Sequence, residues 1–75
     1  MKSKIEETLF RHLESQMYKH LLNASIMMEN PIAIHDHTDL LSAIETELAH
    51  AAEYNDKLEM LQKIMNANQS YNELN

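Results

Sequence analysis

Several side-chain groupings in this 75-residue chain could carry chemistry. His35-Asp36-His37, with Asp39 close by, gathers metal-capable groups in one short segment. A bound ion needs three or four ligands, each steadied by further hydrogen bonds, and a bare His-x-His supplies two. Asp36 is better used there as the cap of a following helix. Glu47-Leu48-Ala49-His50 has the Glu-x-x-His spacing of di-iron carboxylate bundles. Those sites also take an inward glutamate from each of the other helices. A hairpin sets His20, and not a glutamate, across from Glu47. The set therefore does not close on a metal, and the expected outcome is a half-buried His20–Glu47 hydrogen bond. Acid changes that pair little, because protonated His20 still suits Glu47.

Nucleophilic catalysis has no footing. Ser15, Ser25 and Ser42 fall inside helical patterns without a base and orienter, and the chain has no cysteine. It has no glycine either, which removes the usual material of phosphate-cradling loops, bulges and tight turns. The chain reads as non-enzymatic, with no cofactor and no metal.

Those same absences dictate the elements. A single proline, Pro31, interrupts two stretches that repeat at helical spacing. The expected fold is all-α: an antiparallel two-helix hairpin, a single domain over 1–75, assembling into a helical bundle. The boundaries expected are helix 3–29, connector 30–36, helix 37–67 and a frayed tail 68–75. Ser3-Lys4-Ile5-Glu6 has the capping-box pattern, and Asn30 before proline is disfavoured in the helical region. Ile32-Ala33-Ile34 reads as an extended connector, after which Asp36 or Thr38 caps the second helix.

In the first helix Ile5, Leu9, Leu13, Met17, Leu21, Ala24 and Met28 recur at steps of three and four, with Phe10 and Met27 beside them. In the second, Leu41, Ile44, Leu48, Ala51, Leu58 and Met65 occupy seam positions of a seven-residue repeat. Asn55 and Gln62 fill the remaining two, where polar residues commonly set register. Glu7 with Arg11, Glu53 with Lys57, and Glu59 with Lys63 are spaced for i,i+4 pairs. Two further apolar groups lie off these stripes: Tyr18, Leu22 and Ile26 near the turn, and Met60, Ile64, Ala67 and Tyr71 near the open end. These are the candidate contact residues. Six methionines, most of them on or beside apolar faces, suit an adaptable surface.

Twelve acidic residues against six basic leave a net charge of −6, and no Lys or Arg lies between Lys19 and Lys57. A phosphate backbone would be repelled, so direct nucleic-acid binding is not expected. The charged start Met1-Lys2-Ser3-Lys4 precedes no long apolar run, so neither a secretory signal nor a membrane span is expected. That places the protein in the cytoplasm, of bacterial or viral origin. One hairpin of this size buries too little to stand well alone, and without disulfides a homodimer or a protein partner is the remaining source of stability.

The cysteine-free acidic hairpin, with its second helix running from Leu40-Leu41-Ser42-Ala43-Ile44 through Leu58, resembles the small two-helix co-chaperones of type III secretion needle subunits. Those often carry glycine or small residues at the turn, where this chain has Asn30-Pro31. The resemblance implies a cytoplasmic chaperone that pairs with a second protein and shields an aggregation-prone client. Ile34-His35-Asp36-His37-Thr38-Asp39 is similar to part of a plasmid copy-control RNA-binding hairpin. There the stretch lies inside the second helix among basic residues that this chain lacks.

The function expected is a protein-binding module, a chaperone or adaptor, making contact through Tyr18, Leu22, Ile26, Met60, Ile64 and Tyr71. The alternative is an acidic regulator whose Glu29-to-Asp56 segment occupies a basic site on an enzyme or DNA-binding protein.

Overall fold

In a computed structural model the chain forms two α-helices, α1 (Lys2–Glu29) and α2 (His37–Leu74), packed antiparallel in a rod of 60 × 16 × 14 Å. The backbone is described over residues 2–30 and 37–74, and side chains over 3–30 and 39–68. The expected connector, with His35 and Asp36, lies outside the described residues, as do the side chains of His37, Thr38 and Tyr71. No described residue has a cis peptide or a positive φ, as a glycine-free chain of two long helices requires.

The helix ends differ from expectation in detail. α1 begins at Lys2, so Ser3 lies within its first turn and is not its cap. Glu6 does not reach back to Ser3. It accepts a hydrogen bond from Asn68 Nδ2 of α2 at 2.9 Å, tying the two helices at the open end. At the other end of α1 the backbone N–H of Asn30 donates to Ile26 O at 2.9 Å, and Asn30 Nδ2 donates to the same carbonyl at 3.4 Å. One residue thus serves a carbonyl that the last turn would leave unpaired. α2 continues past the expected end at 67 to Leu74. Nothing in the sequence after Asn66 breaks a helix, since the stretch has neither glycine nor proline.

The inward positions of α1 are Glu6, Phe10, Leu13, Met17, His20, Ala24 and Met27. Those of α2 are Leu40, Ile44, Glu47, Ala51, Tyr54, Leu58, Leu61, Met65 and Asn68. Both runs alternate steps of four and three, the spacing of a two-stranded seam. This corrects the expected stripes. Leu13, Met17, Ala24, Ile44, Ala51, Leu58 and Met65 do face the partner helix. Ile5, Leu9, Leu21, Met28, Leu41 and Leu48 are exposed, and Phe10 and Met27 move from the flanks into the seam. Asn55 and Gln62 are exposed too, so neither is a buried register residue.

At each disputed turn the chain offers two adjacent candidates, such as His20 or Leu21, and Glu47 or Leu48. The polar one wins in both helices because the two polar groups satisfy each other, while a one-step rotation would separate Leu58 and Leu61 from Leu13. Those three leucines are the core, with Phe10, Met17, Tyr54 and Met65 packed against them.

Candidate interaction surface

Beneath the surface lies the polar pair. His20 Nδ1 sits 2.5 Å from Glu47 Oε2, with the two side chains only 14 % and 17 % accessible. A carboxylate can only accept, so the imidazole Nδ1–H donates. Asn23 Nδ2 donates to the other Glu47 oxygen at 3.5 Å. The hydrogen bond from His20 holds the Glu47 carboxyl below its ordinary value of 4.5, helped by Asn23 and the nearby His20 and His50; partial burial works against them. The His20 ring lies 4.8 Å from that of His50 and stacks at 5.9 Å on Tyr54, over which Lys57 Nζ sits 4.9 Å from the ring centre. Among the described residues no three His, Asp or Glu side chains converge as a metal site. Of the Glu47-x-x-His50 spacing, Glu47 lies in the seam and His50 is exposed at its edge beside His20.

The remaining ion pairs are local. Glu7–Arg11 (2.7 Å) and Glu53–Lys57 (3.4 Å) form as spaced. Glu59 accepts from Asn55 Nδ2 at 3.4 Å, and among the described residues the expected Glu59–Lys63 pair does not form. Such exposed pairs add little to stability.

The candidate contact residues are on the outside. Tyr18, Leu22, Ile26, Met60 and Ile64 are 48–60 % exposed. Sequence reasoning missed that more apolar side chains join them, because the seam is rotated from the expected stripe. The two-stranded seam leaves the hairpin with two broad flanks. On the front flank a groove toward the open end is lined by Leu9, Lys57, Met60 and Ile64 above the core leucines, and continues past Ile5 and Lys4. On the back flank a groove toward the turn is lined by Leu21, Leu48, Ala52 and Asn55 above Met17 and Ala51. Tyr18, Met28 and Leu41 extend that second patch by their places in the repeat. The two patches thus occupy opposite flanks and opposite ends. Leu22 stands on the outer edge of α1, away from both grooves.

No family model, curated protein or solved structure matches this chain. No described helix is long and apolar enough to cross a membrane.

Proposed function

We propose that this hairpin is a non-enzymatic protein-binding module, a small chaperone or adaptor acting on another protein in the cytoplasm. One observation carries the reading: among the described residues the buried apolar ones are Leu13, Ala24, Ala51, Leu58 and Leu61, while a larger set of big apolar side chains stays exposed. Contiguous exposed apolar surface on a soluble chain marks a place where another surface belongs. Helix packing suits the exposed apolar side chains Tyr18, Leu22, Ile26, Met60 and Ile64, of which Leu22 lies outside both grooves. A client shielded as the needle-subunit co-chaperones shield theirs is the form of this role that the architectural resemblance favours.

The test is affinity purification from the native cell with wild type, Leu22→Asp, Ile64→Asp and Glu53→Lys, with helix content matched by circular dichroism. A protein retained by wild type and Glu53→Lys but lost with either aspartate is the expected result. Retention unaffected by both aspartates, and abolished by Glu53→Lys or by raised salt, would overturn the apolar reading in favour of an acidic regulator.

A further inference from the structure

Beyond binding another protein, the distribution of the two patches speaks to what else covers them. The chain exposes 5964 Å², whereas a compact monomer of its 8.8 kDa mass exposes about 4,800 Å². The difference exceeds the ~800 Å² that each partner contributes to one ordinary stable interface, though not to two. One 60 × 16 Å flank supplies an area of that order.

The flanks are also complementary along their length. The front is apolar at the open end, with Ile5, Leu9, Met60 and Ile64. Toward the turn it carries Lys19 and Glu53, whose partner Lys57 borders the open-end groove, and one apolar residue, Ile26, at the repeat position of Lys19. The back is mostly apolar toward the turn, with Leu21, Met28, Leu41 and Leu48 beside one acid, Glu45. Toward the open end it carries Glu14, Glu59 and the Glu7–Arg11 pair.

We propose that hairpins stack front to back on copies of themselves, each reversed end for end relative to the last. Reversal lays the apolar open end of one front on the apolar turn end of the next back. It also sets Lys19 against the half that holds Glu14 and Glu59. The alternatives match less. Two backs joined by a two-fold axis along the rod bring Glu14 and Glu59 against their own copies. Two backs joined by a crosswise axis lay apolar halves on charged ones. Either flank paired with itself leaves the other bare. A front-to-back contact is heterologous, so reversed copies repeat without closing.

Sedimentation velocity across a micromolar to submillimolar series tests this, using Leu48→Asp to spoil the back and Ile64→Asp to spoil the front. Both positions are already exposed, so the fold should tolerate them. Should either variant lose helicity, Leu21→Asp and Met60→Asp take their places. Wild type should pass the mass of a dimer as concentration rises, and each variant alone should stay monomeric. An equimolar mixture should double in mass and stop, because one intact front meets one intact back. A wild type that remains monomeric or halts at a dimer overturns the proposal, as does a variant that self-associates alone or a mixture that stays monomeric. Leu22→Asp, on the outer edge, should leave assembly unchanged while removing a captured partner, so the two readings fail separately.

Discussion

Toward the open end, the seam between the helices is filled by Phe10, Leu13, Leu58, Leu61 and Met65; toward the turn, the same repeat carries His20, Ala24, Glu47 and Ala51 before larger apolar residues return at Met27, Leu40 and Ile44. The first set excludes water by bulk. The second contains small residues, with Ala24 and Ala51 almost inaccessible, beside a hydrogen-bonded imidazole and carboxylate. Apolar attraction is itself non-directional and resists rotation of a helix only through the fit of its side chains. A donor and acceptor at 2.5 Å resist it by direction as well. The open half therefore supplies most of the cohesion, while directional bonds fix the register in both halves, His20–Glu47 toward the turn and Asn68–Glu6 at the open end.

The largest expected effect is in the leucine cluster. Leu58→Ala or Leu61→Ala should cost about 2–5 kcal/mol by chemical denaturation, since a cavity is left where side chains are tightly surrounded. Ala24→Leu should cost about 1–3 kcal/mol, because a position with no free space must find room for a branched side chain. A near-neutral Ala24→Leu would show that the helices are not closely apposed in the turn half.

His20→Leu should destabilise less than Leu58→Ala, and its signature lies in pH. A carboxyl whose folded value is depressed contributes stability that is present above about 4.5 and lost as pH falls through the lowered value. Wild-type melting temperature should therefore fall below pH 4.5, and His20→Leu should flatten that acid limb; the expectation that acid changes the pair little holds for protonation of His20 and not for protonation of Glu47. An unchanged limb would detach Glu47 from the register role.

Smallest of all, Leu41→Gln and Asn55→Ala should each stay within about 0.5 kcal/mol, as both side chains are exposed. A large loss from Asn55→Ala would restore that residue to the seam.

Much of this was legible in the residues. The absence of glycine and the lone Pro31 dictate two helices, and the His20–Glu47 pair follows from hairpin register alone. Tyr18, Leu22, Ile26, Met60 and Ile64 stand out as surplus to one stripe, and all are exposed. The seam was legible only in part. Periodicity counts apolar residues and places Leu21 and Leu48 inward, whereas a satisfied His–Glu pair costs little to enclose. The back groove went unseen for the same reason.

By itself the sequence determined the helical class, the single break and an apolar inventory too large for one interhelical seam, because these depend on backbone propensity and residue counts. Tertiary structure alone decided which of two adjacent residues turns inward at each repeat. That choice rests on pairing across the hairpin, where Leu13 meets Leu58 and Leu61 and His20 meets Glu47, and no single helix contains both sides of those contacts.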